Sequence, residues 1–358
     1  MTKEVSKVLL DLTGLEELQS LALIGLSKNA GKTTCLNHLI NAWQASGQKR
    51  PLALTSIGRD GEKEDIVSGR AKPRIYIPAG TLIASAEGAL LRSDALLEIL
   101  ELTNLRTAFG EVIICRALSD GYVELAGPSA SEEMEVISAL LRKHEPNSLF
   151  IIDGALSRRS QAGSDVIEEV ILAVSAATSS VPEILAEKTA FALDLLQTPP
   201  ISGPDRRKLI AATNQSPSAR AILFRHPKDQ FEVIALELPS LVGSGQDISK
   251  ELQKRVSLLY LRGAVTDLVI NDLHKDPHFS NLKLVVEDGT RVFIKPETMR
   301  KLQTRKIELL VLNPLDVRLV CLNPSRPNGQ LLDPKPLLAA LRQKITNIPV
   351  VDLGPNNM

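Results

Sequence analysis

Leu21-Ala22-Leu23-Ile24-Gly25-Leu26-Ser27-Lys28-Asn29-Ala30-Gly31-Lys32-Thr33-Thr34 decides how this chain is read. Leu21–Leu26 is an apolar run of the length of a buried strand. A polar turn follows it. Beyond the turn, Thr34–Ser46 places Leu36, Leu39, Ile40 and Trp43 on one helical face, and Gly47 supplies a stop signal. A strand, a turn and Gly-Lys-Thr opening a helix form the context of a phosphate-binding loop. Backbone N–H groups of such a turn make an anion-binding nest, and the free amides and positive end of the helix add to it. Gly31 lets the backbone approach a phosphate closely, Lys32 is placed to neutralise the β- and γ-phosphates, and the Thr33 hydroxyl is placed to ligate Mg²⁺. The stretch predicts binding of a purine nucleoside triphosphate, ATP with Mg²⁺, through Gly25, Ser27, Lys28, Asn29, Ala30, Gly31, Lys32, Thr33 and Thr34. The competing reading is Gly-Lys-Thr in an ordinary strand–helix turn. The usual pattern has four residues between its first Gly and Gly-Lys. Here Gly25 leaves five, and Leu26 stands where that first Gly would be.

Working outward, further apolar runs alternate with amphipathic stretches: Leu52–Ile57, Val112–Ala117, Tyr122–Ala126, Leu149–Ile152 and Val170–Val174. Each reads as a buried strand of a doubly wound sheet. Thr198–Ser218 is dense in Pro and polar residues and reads as a linker or exposed crossing loop. The rhythm resumes at Ala221–Phe224, Leu258–Leu261, Leu282–Val286, Val292–Ile294, Leu309–Leu312, Arg318–Leu322 and Pro349–Leu353. The expectation is an α/β chain: a P-loop NTPase with a doubly wound, mostly parallel sheet in 1–200, a linker in 201–218, and a second smaller α/β unit in 219–358. The later strands read equally as an extension of the first sheet.

A phosphate loop needs carboxylates to hold Mg²⁺ and orient water. Three candidates follow predicted strands, where ligand sites of α/β sheets form. Asp60, in Gly58-Arg59-Asp60-Gly61-Glu62, is read as a switch residue facing the γ-phosphate, against a solvated Asp-Gly turn. Glu124 sits near the end of a predicted buried strand, where a carboxylate is costly unless paired or metal-bound. Asp153 ends Leu149-Phe150-Ile151-Ile152, the general form of a strand whose terminal Asp holds Mg²⁺ directly or through water. Lys32, Asp60 and Asp153 are therefore the expected catalytic residues, and Thr33, Asp60, Glu124 and Asp153 the expected metal ligands. Arg158 and Arg159 follow Asp153 closely enough to stabilise transferred charge, although arginines in that place are more often surface residues.

Bulk properties narrow the partners. The 358 residues carry 42 Lys plus Arg against 42 Asp plus Glu, a zero balance. That offers no general attraction for nucleic acid or for anionic membrane surfaces. Aromatic residues make up 3%, leaving few platforms for stacking bases. Cys35, Cys115 and Cys321 lie far apart with no zinc spacing. No run approaches the roughly 18 apolar residues that span a bilayer, so a cytoplasmic location is expected. The absence of Asn-Lys-x-Asp favours ATP over GTP.

The wider loop spacing resembles that of dethiobiotin synthetases and cobyric-acid-type synthetases, members of the signal-recognition/MinD-like class. Gly121–Pro128 resembles the segment in which those families place a Mg²⁺-contacting Glu, with Leu125 standing where they have Gly. Some members of the class carry a second loop lysine that reaches across a dimer, one position earlier than Lys28. A homodimer is the arrangement this implies, and a solvated Lys28 is the alternative. Ser27–Thr34, Thr55–Glu62, Leu102–Gly110, Gly121–Pro128, Ile151–Ala155, Arg262–Asp267 and Val285–Thr290 together resemble a bacterial P-loop family of reactivase subunits for B12-dependent lysine aminomutase. The resemblance spans about residues 20 to 353. It implies an ATPase whose nucleotide state opens an adenosylcobalamin-dependent aminomutase to release damaged cofactor, with that mutase as protein partner. Two other classes stay open: a ligase or kinase like dethiobiotin synthetase, and a nucleotide-binding module that does not hydrolyse.

Overall fold

β1 (Ser20–Gly25) is buried along its whole length, the mark of a strand in the interior of a covered parallel sheet. The computed structural model describes residues 9–11, 14–27, 29–57, 74–128, 131–154, 169–226, 231–252, 255–326 and 328–353. The chain divides into two compact units. One joins Met1–Leu193 to Asp316–Met358, and the other, Asp194–Leu315, is inserted between them.

The first unit continues with β2 (Leu52–Ser56), β3 (Ile75–Ile77), β4 (Leu82–Ala86), β5 (Leu97–Thr107), β6 (Gly110–Ala117), β7 (Gly121–Val123), β8 (Leu149–Asp153) and β9 (Glu169–Ser175). The insert holds β10 (Ala221–Arg225), β11 (Glu232–Leu236), β12 (Val256–Leu261), β13 (Val265–Thr266), β14 (Lys283–Val286), β15 (Val292–Phe293) and β16 (Glu308–Val311). The chain then returns to the first unit with β17 (Asp316–Asn323) and β18 (Val350–Asp352). The nine-stranded sheet has the order β18-β17-β9-β1-β8-β2-β4-β6-β5. Its strands run parallel from β18 to β4, and the β5–β6 hairpin closes one edge antiparallel. The insert has its own sheet, β11-β10-β12-β14-β16, in which β12, β14 and β16 run parallel.

The chain is thus a mixed α/β protein with a large, mostly parallel sheet. The boundaries differ from expectation. The expected linker 201–218 contains a helix, Gly203–Gln215, whose Leu209 and Ala212 pack with Ile222, Phe224 and Tyr260 in the insert's core. Its prolines bound that helix: Pro204 sits in the first turn, where its missing N–H costs nothing, and Pro217 lies just past the end. The last two strands belong to the first sheet, so 219–358 is not one unit. Tyr122–Ala126 is not a buried strand of that sheet either. Only Gly121–Val123 is strand, and it pairs with β3 apart from the main sheet. The residues after it spend their backbone bonds on strand ends, Ala86 N–H donating to the Ala126 carbonyl and Gly127 N–H to Ser56 Oγ. Among the described residues no helix is long and apolar enough to cross a membrane.

Candidate functional site

The strand order turns about β1. The chain leaves β1 for β2, skipping a place that β8 later fills, and passes from β8 to β9 on the other side of β1. Open α/β sheets bind ligands outside the carboxyl ends of their strands at such a switch point. Strand register sets four residues along that edge. Asp153 of β8 lies opposite Leu23 of β1, Gly25 of β1 opposite Ala173 of β9, and Ser175 of β9 opposite Asn323 of β17.

The turn between β1 and helix α1 (Lys32–Ala45) crosses this edge. Leu26 N–H still reaches the Ala173 carbonyl at 2.9 Å, as though β1 ran one residue further. The chain then bends sharply, with Asn29 at φ 61° and Gly31 at φ 90°. Asn tolerates the left-handed region and Gly enters it without strain. Ala30 between them is buried and does not share the positive φ, so the backbone alternates in hand as an anion nest does. Ser175 Oγ donates to the Asn29 carbonyl at 3.1 Å. In a trans peptide the following N–H points opposite to the carbonyl. That bond therefore turns Ala30 N–H away from β9.

Helix α1 begins without a cap of its own. Gly31 occupies the N-cap position with no side-chain hydrogen bond, and no acidic residue stands in the first turn. Cys35 N–H closes the first helical bond onto the Gly31 carbonyl at 2.9 Å, so the amides of Lys32, Thr33 and Thr34 precede the intrahelical ladder. The Lys32 stem folds back across the turn: a Cβ added to Gly25 would stand 3.3 Å from Lys32 Cδ and 3.0 Å from Ala30 Cβ. A Cβ on Gly31 would meet Asn323 Nδ2 at 2.6 Å. Asn323 itself is held by its Oδ1, which accepts from Ser325 N–H at 3.0 Å. Beneath this contact Cys35 Sγ donates to Cys321 Sγ at 3.3 Å. Burial first, then the neighbouring thiol, push Cys321 well above the ordinary thiol range, so it packs as a neutral group.

Asp153 is brought to the same edge. Its carbonyl accepts from Ile57 N–H at 2.8 Å, and Gly154 N–H donates to Leu23 at 3.0 Å. These bonds tie the end of β8 to both neighbouring strands. Glu124 is paired with an arginine. It lies by β4, its carbonyl accepting from Ser85 Oγ at 3.0 Å, and its carboxylate pairs with Arg92 at 2.7 Å. From β1 to β4 is three strand spacings, roughly 14 Å. Arg92 thus offsets the cost of placing that carboxylate beside the sheet. Lys28, Arg59, Asp60, Arg158 and Arg159 lie outside the described residues.

Sequence reading passed over Ser175 and Asn323 as constituents of this edge. Each ends an apolar run as Asp153 does, but the insert between β9 and β17 hides their adjacency. Among the described residues no three His, Cys, Asp or Glu side chains form a metal-binding group. A cation here would rely on Asp153, the Thr33 hydroxyl and oxygens of a bound anion, the donor set that suits Mg²⁺. No protein-family model, curated protein or solved structure matches the chain, so the site rests on its own geometry.

Proposed function

We propose that the chain is a P-loop NTPase that binds Mg²⁺–ATP at Gly25–Thr34 and hydrolyses it to drive a change in a protein partner. The carrying observation is the uncapped start of α1. A helix N-terminus is positive and attracts anions, yet this one has no side-chain cap, no acid in its first turn and a lysine as its first residue. That arrangement is unfavourable until an anion arrives. The alternating backbone of Asn29–Gly31 suits phosphate oxygens, and Lys32, folded over Gly25, suits their charge. Asp153 and Thr33 would hold Mg²⁺, whose chemistry there is to neutralise phosphate charge. The ATP-bound and ADP-bound forms must differ in affinity for the partner if hydrolysis is to move it. The partner implied by the resemblance is an adenosylcobalamin-dependent aminomutase, and the expected location is the cytoplasm.

The test is Mg²⁺-dependent phosphate release from ATP and GTP by wild type and Lys32→Ala, with and without a B12-dependent aminomutase. The expected result is slow release from ATP that Lys32→Ala abolishes and the mutase changes. Release indifferent to the mutase but raised by a small carboxylate or amine would replace this reading with the ligase one.

A further inference from the structure

Ser27 lies in the turn, and its hydroxyl oxygen stands 2.7 Å from that of Thr178, with either able to donate. Thr178 belongs to the segment between β9 and helix α2 (Pro182–Leu196), where Thr178 N–H in turn donates to the Ser175 carbonyl at 2.9 Å. One short segment therefore grips the turn twice, at Asn29 through Ser175 and at Ser27 through Thr178.

We propose that Thr178 is a positioning residue of the triphosphate site, acting through Ser27. This rests on the nucleotide reading above. A hydroxyl has one proton to donate and two lone pairs to accept with. A phosphate oxygen only accepts. When phosphate arrives, Ser27 must donate to it, and the Ser27–Thr178 bond persists only with Thr178 as donor. The ligand thus fixes a direction that the free protein leaves open, giving a chain Thr178 to Ser27 to phosphate in which each bond polarises the next. Thr178 holds Ser27 in place without touching the ligand, and the segment leading into α2 acquires one orientation when the turn is filled.

The test is calorimetric titration of the full chain with Mg²⁺–ATP and with inorganic tripolyphosphate, using Thr178→Val, Thr178→Ser, Ser27→Ala and the Ser27→Ala/Thr178→Val double variant. Loss of one net hydrogen bond predicts about three- to tenfold weaker binding of both probes by Thr178→Val. Thr178→Ser should restore the affinity. The double variant should bind as Ser27→Ala does, because Thr178 acts only through that hydroxyl. Unchanged affinity in Thr178→Val, or additive losses in the double variant, would overturn the proposal while leaving the site intact. If Thr178→Val fails to fold, Ser27→Ala carries the test: wild-type affinity there removes the intermediary on which the proposal depends. Wild type that binds neither probe would remove the nucleotide reading itself.

Discussion

The two units place comparable turns at the carboxyl ends of parallel strands and finish them in opposite ways. After β1 the chain enters α1 through Gly31, with no side chain closing the helix start. After β14 it enters a short 3₁₀ turn, Gly289–Arg291, whose N-cap Asp288 accepts from Thr290 N–H at 2.7 Å and from the Thr290 hydroxyl. Asp288 is fully buried, and Arg291 lies 3.7 Å from its other oxygen. The second turn carries its own acidic cap and the first has none. A Gly-containing turn at a strand end is closed by its own side chain in one unit and left with its helix start uncapped in the other. Substitution should therefore cost binding at the first turn and stability at the second.

The largest effect should come from Gly31→Ala. The added methyl would be strained at φ 90° and would press on Asn323. Mg²⁺–ATP affinity should fall at least about a hundredfold. Titration of the folded variant checks this, and wild-type affinity would dissolve the contrast between the turns.

Gly289→Ala should act differently. A Cβ there would overlap the carbonyl oxygens of Leu195 and Leu196, and overpacking of that kind destabilises by about 3 kcal/mol. Urea unfolding should show the loss, while Mg²⁺–ATP affinity of the folded protein stays within about twofold of wild type.

Asp288 sharpens the contrast through pH. Burial raises its carboxyl from 3.8 to about 7, against the lowering influence of Thr290 and Arg291. The folded state therefore keeps a proton that the unfolded state gives up between those values. Stability from this group is present at acid pH and lost as pH rises through about 7, on the order of a few kcal/mol. Asp288→Asn keeps an acceptor for Thr290 and cannot titrate. Relative to wild type it should gain stability between pH 5 and 8 in urea melts, and parallel pH profiles would refute the assignment.

The smallest effect belongs to Glu124→Gln. Its carboxylate is engaged by the half-exposed Arg92, so the variant should change Mg²⁺-dependent ATP affinity less than about twofold and stability by less than about 1 kcal/mol. A tenfold loss of Mg²⁺ dependence would return Glu124 to the site.

What the sequence made legible follows from periodicity and local chemistry. Leu21–Leu26, Leu149–Ile152 and Val170–Val174 are apolar runs of central strands, and each lies within one residue of an observed strand. The turn Gly25–Thr34 was visible because its chemistry is contiguous. Less legible was anything depending on contacts distant in sequence. Leu97–Thr107 alternates too weakly to read as a strand because it is an edge with no fully buried residue. Ser175, Thr178 and Asn323 bear on the turn only after the sheet has brought β9 and β17 beside β1. Arg92 as the partner of Glu124 was not legible, because a carboxylate after an apolar run looks the same whether a metal or an arginine awaits it. The Pro-rich 201–218 misled because prolines bound helices as readily as they fill linkers.

The most direct test of the central claim is calorimetric titration of Mg²⁺–ATP into wild type and Lys32→Ala, both first shown to be folded. Wild type should show saturable one-to-one binding, and Lys32→Ala should bind at least about a hundredfold more weakly. No binding by wild type, or equal binding by both proteins, would mean that Gly25–Thr34 is a structural turn.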